Sequence, residues 1–369
     1  MRVMVVLLLV LSSHEAVAQD FNRLTTLANA TLAGIGVDEA VPGFEIQLMQ
    51  DGQVLYHRAF GSWTLGQPAK VDSSTKTLSG ALVMSLVDSG ESGFSLDSRL
   101  ADFLPSFDKP GYRDITVRQA FSHSSGLPAE DVGGAVLLAP NITLNQAANV
   151  IAQMPLEHGP PGSTFGYGGL SMQATGAAME VAAGMPYIDL FDERIATPMQ
   201  LAETRFYIAS DANPRVAGGI ESTAADFGRV MDMLLNDGVD RTTGQRILSV
   251  ASAREMLTRQ TSDAQPIAAS PVENNRYGIG VWLDQLDRFG PPANAMAGGA
   301  RGFHSWIDAS EGLVFTFSTD TTRFANLHDM ASRMHAAVLA DLVPEPGAAV
   351  LLTLGFLSIL QRWRFQSAV

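Results

Sequence analysis

The chain has 369 residues, a formal net charge of −14 at pH 7 and no cysteine. An acidic balance of this size argues against nucleic acid or anionic lipid surfaces as partners, and no basic block contradicts it. Without disulfides an ordinary hydrophobic core must hold the fold, and about 320 residues beyond a leader can supply one, as one large domain or a domain with an inserted lobe.

Arg2, the apolar run Val3–Leu11 and the small residues Ala16, Val17 and Ala18 have the order of a secretory signal over residues 1–18. The mature chain is expected to begin near Gln19, because the apolar run falls far short of the roughly 20 residues a spanning helix needs. A first helix is expected over Asp20–Ile35. Two apolar segments, Phe44–Met49 and Val54–Phe60, then flank Asp51 and Gly52, which predicts a β-hairpin.

Ser73, Ser74, Thr75 and Lys76 precede an apolar helical run that includes Leu78, Leu82 and Leu86. Residues three apart on a helix share a face, which brings the Lys76 amine to the Ser73 hydroxyl at the positive helix N-terminus. Such a lysine activates a serine without a histidine, provided its amine is neutral through desolvation or a nearby cation. Alone, Ser-x-x-Lys is a common pattern, and its weight comes from its setting.

Further along, Leu96 and Asp97 read as a helix start. From Val117 to about Asn275 the pattern is mostly helical, with runs at Leu144–Met154, Ser171–Ala183, Ala224–Leu235 and Ser252–Gln260. Strands are predicted at Tyr277–Leu283, Gly302–Asp308 and Leu313–Ser318, and a closing helix at Phe324–Leu339. Strands at both ends bracketing a helical middle imply one sheet interrupted by a helical lobe. There is no His-Glu-x-x-His and no Gly-x-Ser-x-Gly, so neither a metal site nor an α/β-hydrolase is expected, and no cofactor is implied.

The hairpin, the Ser73–Lys76 segment, Ile115–Pro128 and Ala217–Phe227 occur in an order that resembles the serine beta-lactamase-related superfamily. That group includes class C beta-lactamases, D-alanyl-D-alanine peptidases and family VIII carboxylesterases, and the resemblance runs from about Val41 to Val338. It implies an α/β (α+β) fold over residues 19–342: an antiparallel sheet flanked by helices, with an inserted mostly helical lobe over about 95–275. It also implies that Ser73 is the nucleophile, Lys76 its proton acceptor and Tyr167 a proton shuttle to the leaving group. Where the family carries Tyr-x-Asn this chain has Tyr167, Gly168 and Gly169, so the asparagine amide is absent.

The third family motif, Lys-Thr-Gly or His-x-Gly, falls on Ala297, Gly298 and Gly299, without its cation. The backbone amides of Ser73 and Ala300 are expected to form the oxyanion hole, with Gly298 and Gly299 letting the substrate approach the backbone. Arg301 is the nearest replacement cation and His304 a substrate-contact candidate. His123, in the segment Phe121–Pro128, is expected to be structural. The favoured function is an ester hydrolase; a peptidoglycan-directed peptidase or beta-lactamase, and a degenerate binding module, are the alternatives.

At the C-terminus, Pro344, Glu345 and Pro346 precede an apolar run, Gly347–Leu360, and then Arg362 and Arg364. This tail over 343–369 resembles the PEP sorting signal that exosortase enzymes process in some Gram-negative bacteria, which implies such an enzyme as a partner. Trailing arginines would hold the C-terminus on the cytoplasmic side of a membrane. The expected location is the cell envelope or outside the cell, with transient anchoring by the tail.

Overall fold

Asp51 and Gly52 have φ of 48° and 79°, the left-handed backbone of a tight hairpin turn. The flanking runs therefore fold back as antiparallel strands β1 (Gly43–Gln50) and β2 (Gln53–Gly61). These assignments come from a computed structural model that describes residues 20–37, 40–272, 274–283, 294–321 and 327–342. The expected leader and sorting tail lie outside the described residues.

Four further strands complete a six-stranded sheet: β3 (Trp282–Leu283), β4 (Asn294–Gly298), β5 (His304–Asp308) and β6 (Leu313–Ser318). Their order is β3-β4-β5-β6-β1-β2, antiparallel throughout. Strand β6 pairs with β1 from Glu45 opposite Ser318 to Gln50 opposite Leu313. Segments far apart in sequence thus meet in mid-sheet, and the helical stretch between β2 and β3 is an insertion into one sheet, as the mixed α/β pattern predicted.

Helix α1 (Thr75–Ser89) is buried on every side from Thr75 to Leu86, the mark of a central helix and not of a surface one. Helix α2 (Leu170–Ala183) is enclosed in the same way. Helix α3 (Ala224–Leu235) is amphipathic and starts where Thr223 accepts the Asp226 N–H at 3.1 Å. Its Gly228 lies so close to β1 and β6 that a Cβ would stand 2.7 Å from Gln47 Oε1. The sheet face carrying Gln47 and Thr316 therefore looks toward α3.

Two expectations are corrected. No helix begins at Leu96 and Asp97: the Asp97 carboxylate pairs with Arg118 at 2.9 Å, and the chain makes short 3-10 turns at Leu100–Asp102 and Pro105–Phe107. Tyr277–Leu283 is not one strand either. Gly278 donates to Val281 O at 2.9 Å and Tyr277 bridges Trp282, so the segment turns back on itself and only Trp282–Leu283 joins the sheet. That turn brings the Tyr277 and Trp282 rings to 4.8 Å.

The sheet and these three helices belong to the unit Ala28–Ser332. The first and last helices, expected at Asp20–Ile35 and Phe324–Leu339, span Asn22–Leu32 and Leu327–Leu342. A second unit contains the start of the one and the end of the other. Within it the Asp341 carboxylate accepts the Leu24 N–H at 3.0 Å and pairs with Arg23 at 3.4 Å.

Candidate active site

Ser73 lies in the 3-10 turn Asp72–Ser74 that leads into α1, not inside the helix itself. The turn still keeps Ser73 and Lys76 on one side, because a 3-10 turn eclipses residues three apart even more closely than an α-helix does. Lys76 Nζ is 3.1 Å from Ser73 Oγ and 2.9 Å from Ala217 O, and the side chain is only 1% exposed. Ser74 is fully buried, and its hydroxyl has no partner among the described residues. Only Ser73, half-buried, combines access with the lysine.

The serine turn is held on one side by the strand Ile220–Ser222. Val71 N–H donates to Ile220 O at 3.0 Å, and Thr75 Oγ1 accepts the Ile220 N–H at 3.1 Å. The neighbouring Ala217 carbonyl is fixed through the residues before it. Gln173, fully buried on α2, donates to Asn213 Oδ1 and Pro214 O at 2.8 and 2.9 Å and accepts the Val216 N–H at 3.1 Å. Ser79 on α1 donates to Val216 O at 2.6 Å.

Tyr167 closes the other side. Its ring stacks on Trp282, with centroids 5.2 Å apart and planes at 20°, and Lys76 Nζ lies 4.7 Å from the ring centroid. The His123 ring is 4.3 Å from the same ring. His123 is 1% exposed and its Nδ1 accepts the Gly168 N–H at 3.3 Å. Burial holds this imidazole well below the usual histidine range, and the Lys76 charge lowers it further. Nδ1 is therefore a lone-pair acceptor in a neutral ring.

Gly169 occupies the N-cap position of α2. It offers no side chain toward Lys76, and the second lysine partner is the Ala217 carbonyl. The third-motif segment does reach the serine turn: a Cβ on Gly299 would stand 2.3 Å from Val71 O, an approach only glycine allows. Ala297 is buried at the end of β4, Gly298 is half-buried, and Ala300 sits exposed in the turn that Gly302 N–H closes on Gly299 O at 3.0 Å.

Arg301 is not an uncommitted cation, since its guanidinium is ion-paired with Asp320, a contact that raises its pKa above the usual arginine value. His304 is corrected as a substrate contact. It is 1% exposed and stacked on Phe317 at 5.1 Å and 18°. Alternation along β5 puts it on the face opposite Ser305, which bonds Thr316 on the α3 side at 2.8 Å. It supports the sheet from the far face.

Residues on which sequence reasoning was silent complete the site: the Ala217 carbonyl as lysine acceptor, Gln173 behind it, and Trp282 under Tyr167. A backbone carbonyl leaves no signature in sequence. Trp282 was legible only as a strand residue, since its pairing with Tyr167 joins segments more than a hundred positions apart.

An antiparallel sheet with an inserted helical region, and a serine held by a buried lysine and flanked by a tyrosine, define a protein of the serine beta-lactamase and transpeptidase-like class. The chain belongs to the beta-lactamase family, which residues 24–339 match. Among curated proteins it is similar to the D-alanyl-D-alanine-carboxypeptidase/endopeptidase AmpH of Escherichia coli, with 24% identity over 301 residues, 72% of this chain and 74% of that one. A D-aminopeptidase of Cereibacter sphaeroides is 30% identical over 178 residues, 44% of this chain and 33% of that protein. Among solved structures, a putative beta-lactamase from Bacteroides dorei superposes with a TM-score of 0.74 at 25% identity, covering 87% of this chain and 98% of that one. A family VIII carboxylesterase shares the fold with a TM-score of 0.67 at 20% identity, covering 87% and 98%.

Proposed function

We propose that this chain is an exported serine hydrolase that works through a Ser73 acyl-enzyme and favours carboxylic esters. The observation that carries the reading is the buried Lys76 amine 3.1 Å from Ser73 Oγ. A free lysine amine has one lone pair and two N–H bonds. With one N–H on Ala217 O, the lone pair is left to accept the Ser73 hydroxyl proton.

In the first step Ser73 Oγ bonds to the ester carbonyl carbon while its proton passes to Lys76 Nζ, and the oxyanion is met by the Ser73 and Ala300 amides. The bond to the leaving oxygen then breaks, and the proton returns to that oxygen by way of the Tyr167 phenol. Water repeats the sequence on the acyl-enzyme, with Ser73 Oγ as the leaving group. The ester preference is supported by what the site lacks for carboxylated amides: no side chain at Gly169, no cation at Ala297, and an Arg301 engaged by Asp320.

An amide-directed reading, on peptidoglycan-like peptides or beta-lactams, is favoured by the similarity to the D-alanyl-D-alanine-carboxypeptidase/endopeptidase AmpH and to the D-aminopeptidase. A binding module without catalysis is disfavoured by the retained Ser73, Lys76 and Tyr167 grouping. Incubation with a fluorophosphonate and, separately, a penicillin, followed by intact mass and peptide mapping, separates the three. The ester reading expects Ser73 labelled by the fluorophosphonate and far more slowly by penicillin. Faster acylation by penicillin overturns the preference, and no acylation by either overturns the hydrolase.

Export rests on the sequence of residues 1–18 and 343–369, and we propose that an exosortase-type enzyme processes the Pro344–Pro346 region at the envelope. Removal of Gly347–Val369 is expected to leave a soluble, active enzyme. Misfolding of that truncated chain would make the tail part of the fold.

A further inference from the structure

The loop that carries Tyr167 has three consecutive amides held one after another. Gly166 N–H donates to His123 O at 2.8 Å, Tyr167 N–H to Ala269 O at 2.9 Å, and Gly168 N–H to His123 Nδ1 at 3.3 Å. His123 thus holds the chain on both sides of Tyr167, once with its carbonyl and once with its ring. The backbone at His123 is left-handed, with φ of 59°, a conformation that side chains adopt mostly where a site requires it. Its ring also meets the Tyr167 ring at 4.3 Å and closes on Tyr277 at 4.6 Å and Phe165 at 5.7 Å.

The two ring nitrogens are treated unequally. With Nδ1 accepting, the proton of the neutral imidazole sits on Nε2, and Nε2 is buried with no hydrogen-bond partner among the described residues. A buried donor without an acceptor costs free energy that an apolar side chain among the same rings would not. What no apolar side chain supplies is the acceptor for Gly168 N–H, the amide that follows Tyr167 and precedes the Gly169 N-cap of α2. Stacking on Trp282 fixes the plane of the Tyr167 ring better than its place within that plane. Where the phenol reaches therefore depends on how firmly the backbone of Tyr167 is held.

We infer that His123 is a positioning residue for the reaction: by accepting the Gly168 N–H on Nδ1 and the Gly166 N–H on its carbonyl, it holds Tyr167 where the phenol hands a proton to the leaving oxygen. The inference rests on the acyl-enzyme reading above and deepens it, because it names the substrates that depend on this contact. His123 is 1% exposed and acts only through Tyr167. A phenoxide or alkoxide needs a proton as it leaves, whereas p-nitrophenoxide, a much weaker base, departs without one. Esters of poor leaving groups are thus the ones that require the His123 contact.

The test compares kcat/KM for phenyl acetate with that for p-nitrophenyl acetate, two esters with the same acyl group. It is run in the parent, Tyr167→Phe, His123→Ala and His123→Asn, each normalised to the fraction labelled by a fluorophosphonate. Tyr167→Phe sets the scale of a lost proton shuttle. In His123→Ala the phenyl-to-p-nitrophenyl ratio is expected to fall about tenfold or more, since a misplacement of about 1 Å costs up to about a hundredfold. His123→Asn brings an amide oxygen near the place of Nδ1 and tolerates the left-handed backbone, so it is expected to recover the ratio to within about threefold of the parent. A merely structural His123 would lower stability and both activities together and leave the ratio unmoved. In the parent, nitrogen NMR of histidine-labelled protein, assigned through the backbone, is expected to show His123 Nδ1 unprotonated and Nε2 protonated near neutral pH. This arm stands even if a variant fails to fold.

A His123→Ala ratio within about twofold of the parent while Tyr167→Phe lowers it, an equal fall in His123→Ala and His123→Asn, or a proton on Nδ1 overturns the inference and leaves the acyl-enzyme intact. An unmoved ratio in Tyr167→Phe overturns the proton shuttle, and absence of Ser73 labelling in the parent overturns the acyl-enzyme reading; either takes this inference with it.

Discussion

The His123 ring lies 4.3 Å from the Tyr167 ring, inside a cluster where Tyr277 and Phe165 also contact the imidazole, at 4.6 and 5.7 Å. A neutral His123 is the condition for this packing, since a buried imidazolium among these rings would lose the solvation its charge needs.

The folded-state pKa of His123 is depressed by burial and then by Lys76, whereas the unfolded value is about 6.5. Below about pH 6.5 the unfolded chain takes up a proton that the folded chain refuses, so this contribution to stability is full above that pH and is lost as pH falls toward the depressed folded value. The loss is about 1.4 kcal/mol per pH unit for one proton. His123→Asn removes the titration while tolerating the φ of 59° at this position. Urea unfolding at pH 6 and pH 5 should show the parent losing about 1 kcal/mol more than the variant; equal losses would mean that His123 is not the buried neutral group.

Ser73→Ala should abolish ester turnover and fluorophosphonate labelling together. Ser74→Ala should keep both, because the Ser74 hydroxyl is buried and has no described partner to lose. Peptide mapping of the labelled protein decides between the two serines. Label on Ser74, or label persisting in Ser73→Ala, removes Ser73 from the mechanism.

Tyr167→Phe retains the stack on Trp282 and deletes only the phenol. A lost proton shuttle lowers kcat by about 10²–10⁴-fold, with little change in KM. Steady-state kinetics on an aryl ester checks this, and a kcat within about threefold of the parent contradicts a proton-transfer role of that size.

Gln173→Leu removes the Gln173 partner of the Val216 N–H, the Pro214 carbonyl and Asn213 Oδ1. Each orphaned buried group costs about 1–3 kcal/mol, so urea unfolding should show a total loss of about 3 kcal/mol or more. Because these bonds set the strap that presents Ala217 O to Lys76, kcat/KM per labelled site should also fall by about tenfold or more. A destabilised variant with full kcat/KM would confine Gln173 to packing.

The sequence by itself determined the elements whose cause is local. Asp51 and Gly52 specify their turn by backbone preference, and the period-two and helical runs around them name strands and helices, because those signals depend only on neighbours a few residues away. The Ser73–Lys76 pairing was legible for the same reason, the two lying one turn apart, even though the turn proved to be 3-10. Tertiary structure decided what depends on segments far apart in the chain. It set the Ala217 carbonyl on Lys76, 141 positions away, stacked Tyr167 on Trp282, committed Arg301 to Asp320, and turned His304 to the far face of the sheet. The physical reason is that a carbonyl, a ring face or an ion pair acquires its role from what burial brings against it, and no residue type or spacing encodes that neighbour.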